Sequence, residues 1–240
     1  MNRAVRNVNP VKPGRKSKIS VILLSAGEAS RMKSHGPRSL IKVADDTNLI
    51  KYQSDTIVSA IPNNEIILVC GCEADRVMNH APASIICVEN ERFDSTNIVR
   101  SMAIGLRAAT SDKILFMYGD LIFNHDTLKN AKFEESSVFI DKEDFFDKSG
   151  VGCTINEKNN VEHMLYGLPN LWAQMVFLTG RELSIFKNIV WNREKEKLFG
   201  FEVLNELIDR RGTLKAQSPK NMKVADIDCT KDLLNIKKIL

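Results

Sequence analysis

The sequence predicts a three-layer α/β protein in which helices cover both faces of a mostly parallel sheet. Apolar runs alternate with helical segments along residues 20–141, and this order is typical of parallel sheets. Runs such as Val21–Leu24 and Glu65–Cys70 are continuously apolar and do not alternate with polar residues. Continuous runs of this kind are expected for strands that are buried on both faces.

The elements of the first part follow from apolar spacing and flanking turns. The predicted strands are Ser20–Ser25, Glu65–Cys70, Ser84–Val88, Lys113–Tyr118 and Ser137–Asp141. The predicted helices between them are Asn48–Ala60, Glu73–Asn79, Thr96–Ala109 and Asp126–Lys132. In the first helix, for example, Leu49, Ile50, Ile57 and Val58 recur at helical spacing.

The pattern changes after about residue 145. The turn-forming residues 156–160 separate two short runs, which predicts a β-hairpin of Gly150–Ile155 and Val161–Tyr166. The remaining predicted elements are the strand Trp172–Leu178, the helices Glu182–Ile189 and Glu202–Arg210, the strand Lys223–Ile227 and a closing helix from Lys231. The alternating charges of residues 193–197 predict a solvated surface. We expect residues 145–222 to form an insertion in one domain spanning residues 19–240.

Composition indicates an ordinary globular protein with a basic leader. The chain has 240 residues, of which 43% are hydrophobic and 27% charged. Residues 1–18 carry six cations and no acid, whereas the whole chain has a formal net charge of +4, so residues 19–240 are close to neutral. We expect a flexible tail, no signal peptide and no membrane span. The five cysteines lie mostly in apolar runs, which suggests reduced thiols and a cytoplasmic location.

The end of the first predicted strand has the chemistry of a phosphate site. Ser25, Ala26 and Gly27 remove side-chain bulk, so phosphates could approach the backbone N–H groups. Arg31 and Arg38 then supply positive charge. Taken alone, these residues fit an ordinary strand and turn with solvated charges better than a phosphate site. Further segments are needed to favour the functional interpretation.

Carboxylates follow two later strands. Asp120 comes directly after Lys113–Tyr118 and Gly119, and open α/β sheets bind ligands at the carboxyl ends of their strands. A carboxylate at such a place can hold Mg²⁺ beside substrate phosphates, although a Gly-Asp pair is also a common turn. Near the C-terminus, Asp226 and Asp228 would point to the same face of an extended strand.

These segments together resemble the nucleotidyltransferase family that makes nucleotide-sugars and CDP-alcohols, whose signature is L-A-A-G-x-G-x-R-(L/M)-x-S-x-x-P-K-x-L. The matching residues here are Leu24, Ala26, Gly27, Arg31, Met32, Ser34, Pro37 and Leu40. Three positions depart from it: Ser25 replaces an alanine, Ala29 the second glycine and Arg38 the usual lysine. Residues 90–102 resemble a segment of the phosphocholine cytidylyltransferase-like branch, and residues 226–233 resemble the family's closing acidic segment.

The resemblance implies a Rossmann-like three-layer α/β/α fold with a mostly parallel mixed sheet and a β-hairpin-containing insertion on the acceptor side. It also implies transfer of NMP from an NTP, with CTP or UTP favoured, to a phosphorylated small molecule, with release of pyrophosphate. The acceptor would be a phosphocholine-like alcohol phosphate or a sugar phosphate. The alternative is a catalytically impaired nucleotide-binding regulatory protein of this fold. We expect a monomer or homodimer with no nucleic-acid partner.

The resemblance also assigns roles to individual residues. Arg31 would hold the β- and γ-phosphates, Arg38 would stabilise the α-phosphate, and Asp120 and Asp228 would bind Mg²⁺. The nucleotide-binding residues would be Ser25, Ala26, Gly27, Glu28, Asn97 and Ser101. The candidates for acceptor binding are Tyr166, Trp172, Glu202 and Asp226. For the aromatic residues among them, core packing is an alternative that the sequence favours, since aromatic side chains on strands usually pack.

Overall fold

The computed structural model describes residues 18–28, 36–141 and 150–227, together with residues 232, 236 and 239. Its strands are β1 (Ile19–Ser25), β2 (Lys42–Ala44), β3 (Thr47–Asn48), β4 (Asn64–Cys70), β5 (Ile86–Glu89), β6 (Lys113–Tyr118), β7 (Leu121–Phe123), β8 (Ser137–Asp141), β9 (Val151–Ile155), β10 (Val161–Tyr166), β11 (Leu171–Thr179), β12 (Lys215–Gln217) and β13 (Val224–Asp226). Its α-helices are α1 (Leu49–Ala60), α2 (Ala74–His80), α3 (Ile98–Ala108), α4 (His125–Lys129), α5 (Gly180–Val190) and α6 (Gly200–Asp209). Two short 3₁₀ helices cover Arg38–Leu40 and Arg193–Lys195.

The main sheet is mixed and is organised around β1. Strand β1 pairs in parallel with β4 on one side and with β6 on the other, and β5 extends the parallel part beyond β4. Strand β11 pairs antiparallel with β6 and starts the second part, in which the order continues through β9 to β10. Strand β8 pairs with β11 and β12. The predicted α/β fold with a mixed sheet is therefore confirmed, and so is the predicted hairpin of β9 and β10.

Alternate residues of β1 enter two different cores. Ile22 and Leu24 pack with the helices α3, α5 and α6 on one face of the sheet. Val21 and Leu23 pack with α1, α2 and α4 on the other face. All four side chains are buried. This arrangement explains why the β1 sequence is continuously apolar, since each face of the strand is covered by helices.

The structure also contains short elements that periodicity does not reveal. Strands β2, β3, β7 and β12 each contain only two or three residues, too few to show a period. Strand β13 lies within the predicted strand Lys223–Ile227. Helix α3 begins two residues later than predicted because the side chain of Asn97 accepts a hydrogen bond from the Ile98 N–H and caps the helix. Among the described residues, no helix is both long enough and apolar enough to cross a bilayer.

Candidate active site

A cavity of about 260 Å³ opens at the carboxyl ends of β1 and β6. The end of β1 forms one wall, and the segment that leads from β5 into α3 forms the opposite wall. The cavity is lined by Leu24, Ser25, Ala26, Gly27, Glu28, Arg38, Asn90, Phe93, Thr96, Asn97, Ile98, Ser101, Tyr118, Gly119 and Asp120. Ligands of open α/β sheets bind at this position, outside the carboxyl ends of the parallel strands.

The first wall depends on a close approach between the ends of β1 and β6. The Gly119 N–H donates a hydrogen bond to the Leu24 carbonyl at 2.9 Å. A Cβ atom at Gly119 would lie 2.6 Å from the Cβ of Ser25, so a larger residue would push the two strand ends apart. No atom lies within 4 Å of where a Cβ of Gly27 would stand, and this residue is exposed. The backbone beyond Ala26 therefore borders open space that a ligand could fill.

Arg38 and Asp120 form an ion pair on the floor of the cavity. Arg38 follows Pro37, whose φ of −58° starts the short 3₁₀ helix of residues 38–40. Its Nη1 donates to Oδ2 of Asp120, and both side chains are largely buried, with 22% and 17% exposed. The pair puts a planar cation and a carboxylate against the same space, so phosphate oxygens there would meet the cation and a metal ion would meet the carboxylate.

Two hydrogen-bonding groups fix the turn that carries Asp120. The buried side chain of Gln53, on α1, donates through Nε2 to the carbonyls of Gly119 and Leu121 at 3.3 and 2.7 Å. From the other side, the Ile227 N–H donates to the Asp120 carbonyl at 3.0 Å, at the end of β13. Gln53 was not among the predicted site residues. A polar residue on the apolar face of a predicted helix is the signal that could have identified it.

The second wall is a buried hydrogen-bond network around Asn90. Its side chain is 1% exposed and donates through Nδ2 to the Ser101 hydroxyl at 3.2 Å, while its Oδ1 accepts from the Arg92 N–H. The Asn90 N–H donates to the carbonyl of Cys70 at 2.8 Å, which ties this wall to the end of β4. Asn97 and Ser101 lie one helical turn apart at the start of α3, and both line the cavity. This wall therefore presents amide and hydroxyl groups opposite the β1 end.

Tyr118 connects the cavity to the second half of the chain. It lines the cavity, and its ring meets the edge of the Trp172 ring at a centroid distance of 5.5 Å. The backbone of Gly200, at the start of α6, donates a hydrogen bond to the Tyr118 hydroxyl. Burial raises the pKa of Tyr118 above its usual value, and the charge of Asp120 raises it further, so the phenol is neutral at physiological pH.

An aromatic group lies beyond Tyr118, at the junction of β10 and α6. Tyr166 is 57% exposed and packs edge-on against Phe201 at 5.6 Å, and Phe201 stacks on Phe199 at 6.0 Å. Glu202 accepts a hydrogen bond from the Phe199 N–H at 2.7 Å and so caps α6. Trp172 is only 5% exposed and donates through Nε1 to the Met175 carbonyl, which is the packing role that the sequence favoured.

The structure brings the predicted site residues together unevenly. Those that line the cavity are Ser25, Ala26, Gly27, Glu28, Arg38, Asn97, Ser101 and Asp120. The acceptor candidates Tyr166, Trp172, Glu202 and Asp226 lie outside its lining; Asp226 pairs with Leu121 in the β13–β7 ladder. Arg31 and Asp228 lie outside the described residues, as do most of the predicted closing helix and most of the basic tail.

The sequence prediction is wrong for one residue near the site. Residues 193–197 were expected to form a solvated charged surface, and Arg193, Glu194 and Lys197 are exposed, but Glu196 is only 6% exposed. Its carboxylate accepts from Arg92 at 3.0 Å and from Arg100 at 3.1 Å, both in the cavity's second wall segment. The alternating charges do not reveal this contact, because Arg92 and Arg100 are distant from Glu196 in the sequence.

A known protein family matches part of the chain. Residues 21–138 match the sequence family described as the MobA-like NTP transferase domain, which confirms the resemblance to nucleotidyltransferases. A search of curated proteins found no match.

Solved structures share the fold over almost the whole chain. The inositol-1-phosphate CTP transferase from T. maritima has a TM-score of 0.73 at 21% identity, with 92% of this chain and 95% of that chain covered. The CTP:phosphocholine cytidylyltransferase LicC from Streptococcus pneumoniae has a TM-score of 0.72 at 13% identity, covering 92% and 98%. A putative glucose-1-phosphate thymidylyltransferase from Bacillus anthracis has a TM-score of 0.71 at 14% identity, covering 92% and 94%.

Proposed function

Because residues 21–138 match the MobA-like NTP transferase domain family, we propose that the chain transfers NMP from an NTP to a phosphorylated small-molecule acceptor. One observation supports this most directly: the exposed end of β1, the Arg38–Asp120 pair and the polar start of α3 all border one cavity. A triphosphate would lie along the β1 end, and its base would meet Asn97 and Ser101. We propose CTP or UTP as the donor.

The reaction needs positioning and charge neutralisation more than proton transfer. An acceptor phosphate oxygen attacks the α-phosphorus in line, a new P–O bond forms, and the bond to the leaving pyrophosphate breaks. The acceptor phosphate is already an anionic nucleophile, so no general base is required. Arg38 would neutralise charge on the α-phosphate. Arg31, from the β1–α1 segment, is proposed to hold the β- and γ-phosphates.

We propose Mg²⁺ as the metal, held by Asp120 and Asp228. The donor chemistry fits, because Asp120 lines the cavity and Mg²⁺ is commonly held by one or two carboxylates together with substrate phosphates. Within the described residues, no group of three or more His, Cys, Asp or Glu side chains comes together. Mg²⁺ sites of this kind take only one or two protein carboxylates, so substrate oxygens would supply much of the coordination. When bound, the metal would neutralise phosphate charge.

The acceptor is proposed to enter from the side of Tyr118. The chain of contacts from the cavity runs through Tyr118 to Gly200, and from there to the aromatic group of Tyr166, Phe199 and Phe201. Exposed aromatic faces attract quaternary ammonium groups through cation–π interactions, which favours a phosphocholine-like alcohol phosphate. Sugars also pack on aromatic faces, so a sugar phosphate is the second candidate.

The test is a matrix of the four NTPs against alcohol phosphates and sugar phosphates, with and without Mg²⁺, read by pyrophosphate release. We expect pyrophosphate to be released only with a complete pair of substrates and the metal. If no pair releases pyrophosphate while NTP still binds, the chain is instead a nucleotide-binding protein without transferase activity.

The Asp120→Asn variant tests the proposed role of the Asp120 carboxylate. We expect it to fold normally and to lose at least about a hundredfold in turnover, because the amide cannot replace the charge of the carboxylate. Asp112→Asn is the control, since Asp112 is exposed and precedes the opposite end of β6. Near-normal turnover of Asp120→Asn would rule out the proposed role of this carboxylate.

A further inference from the structure

We infer that Glu196 is a positioning residue that fixes the base-binding wall of the cavity from the second half of the chain. This inference rests on the proposed function, because it assigns Glu196 a role in nucleotide selection at the same site. Glu196 follows the 3₁₀ helix of residues 193–195 and does not line the cavity. It acts through other residues and touches no substrate.

The carboxylate of Glu196 is shared between two arginines. Oε2 of Glu196 binds Nη1 of Arg92, and Oε1 binds Nη1 of Arg100, so each oxygen holds a different arginine. The two arginines lie on either side of Thr96 and Asn97, both of which line the cavity. One carboxylate therefore fastens the wall segment on both sides of its ligand-facing residues.

Glu196 also makes a backbone contact between the two arginines, at Asn97. The Asn97 N–H donates to the Glu196 carbonyl at 2.8 Å. Asn97 caps α3 through its own side chain and is one of the residues that line the cavity. Glu196 therefore holds this residue directly and its flanks through the two arginines. These contacts join parts of the chain about 100 residues apart.

The carboxylate of Glu196 is removed from water. The Glu196 side chain is 7% exposed, whereas its partners Arg92 and Arg100 are 54% and 23% exposed. A charge removed from water in this way costs free energy unless it is paired. The pairing restricts Glu196 to one geometry, and the wall is restricted with it. An exposed ion pair would have no such effect.

The contacts continue from Glu196 to the acceptor side. Phe199 begins the turn into α6 three residues later, and Gly200 donates from its backbone to Tyr118. A Cβ at Gly200 would lie 2.6 Å from the Tyr118 hydroxyl oxygen, which shows how close the two segments are. Residues 196–200 thus join the base-binding wall to the proposed acceptor entrance.

The Glu196→Gln variant tests the inference. The amide keeps the size of the side chain, but it has one acceptor oxygen and can hold only one arginine, while its NH₂ group faces the donors of the other. We expect the dissociation constant for CTP to rise about tenfold, within the range found for residues that act through their neighbours. The dissociation constant for inorganic triphosphate should change less than twofold, because the β1 end and Arg38 are untouched.

The comparison of CTP with inorganic triphosphate separates positioning from general damage. An equal loss for both ligands would mean that Glu196 only stabilises the fold, and no loss for either would mean that it has no role; both results overturn the inference. Glu194→Gln is the matched control, because Glu194 is exposed on the same 3₁₀ helix. It should leave both dissociation constants unchanged.

A second variant guards against misfolding of the first. Arg92 is exposed, so Arg92→Gln should fold normally and shift CTP binding in the same direction by a smaller factor. If Arg92→Gln binds CTP as the unaltered protein does and Glu196→Gln does not fold, the inference fails. If the unaltered protein binds neither CTP nor another NTP, the proposed function itself fails, and that result is distinct from a changed ratio in the variants.

Discussion

At the scale of single residues, the Arg38–Asp120 pair is the feature that most affects the chemistry of the site. The family usually has a lysine at position 38, and a lysine is a compact point charge. Arginine presents a planar fork that can bind a carboxylate and a phosphate through different N–H groups. In the structure Nη1 of Arg38 donates to Asp120. The guanidinium and a metal ion would therefore compete for this carboxylate.

This competition predicts the behaviour of Arg38→Gln. Removing the cation should strengthen binding of Mn²⁺ to the ligand-free protein by about fivefold, since the neutral amide no longer offsets the carboxylate charge. Isothermal titration calorimetry or the EPR signal of free Mn²⁺ measures this without any turnover. Arg76→Gln is the control, because Arg76 pairs with Glu73 on the exposed surface of α2. Unchanged or weaker Mn²⁺ binding by Arg38→Gln would contradict the competition.

At the scale of elements, a polar network ties together the amino ends of the parallel strands, opposite the cavity. Glu65, on β4, is 8% exposed and accepts hydrogen bonds from Lys18, from Ser20 on β1, and from Thr110 before β6. Burial opposes ionisation of the carboxyl, but these hydrogen bonds outweigh it, and together they lower the pKa of Glu65. The ionised form is thus the one that the fold stabilises.

The lowered pKa of Glu65 determines how the stability of the protein changes with pH. A carboxyl whose pKa is lower in the folded state contributes stability above its unfolded pKa, and this contribution disappears as the pH falls through the folded value. Glu65→Gln should therefore lower the free energy of unfolding by about 1–3 kcal/mol at pH 7, because the neutral amide has one acceptor oxygen instead of two and no charge for Lys18 to pair with. The difference from the unaltered protein should shrink as the pH falls below about 4.

Urea unfolding at pH 7 and pH 3 measures both effects. Asp55→Asn serves as the comparison: the Lys51–Asp55 pair on α1 has a similar N···O distance of 2.7 Å, but its side chains are 51% and 62% exposed. Its removal should cost less than about 0.5 kcal/mol. If Glu65→Gln is no less stable than Asp55→Asn at pH 7, the network does not have the proposed effect.

At the scale of the whole molecule, the two halves of the chain share one sheet. Residues Met175–Thr179 of β11, from the second half, pair with β6, and α5 and α6 enter the same core as α3. We therefore propose one domain for residues 19–240 rather than an independent second domain. A shared core and a shared sheet make separate unfolding of either half costly, since it would expose the apolar face of the other.

Cooperative unfolding tests this organisation. Both tryptophans, Trp172 and Trp191, lie in the second half, so their fluorescence reports on that half, whereas far-UV circular dichroism reports on the whole chain. We expect the two urea transitions to coincide, as in a two-state protein. A fluorescence transition that precedes the circular-dichroism transition would show that the second half unfolds on its own.

The sequence predicted the elements that can be recognised from the pattern of neighbouring residues. Continuous apolar runs predicted β1, β4 and β6, and the small residues after β1 predicted an open strand end. Strand β7 was not predicted, because a strand of three residues shows no period, and its pairing with the predicted last strand joins segments that are distant in the chain. Gln53 and Glu196 were missed because their roles depend on partners that are distant in the chain.

The fold class, the family resemblance and the chemical types of residue at the strand ends follow from the sequence. Which of these residues meet depends on packing, which brings Arg38 to Asp120 and Glu196 to the cavity wall that contains Asn97. The physical reason is the range of the interactions. Secondary structure follows from side-chain periodicity within a few residues, whereas ion pairs and cavity walls depend on how distant segments pack.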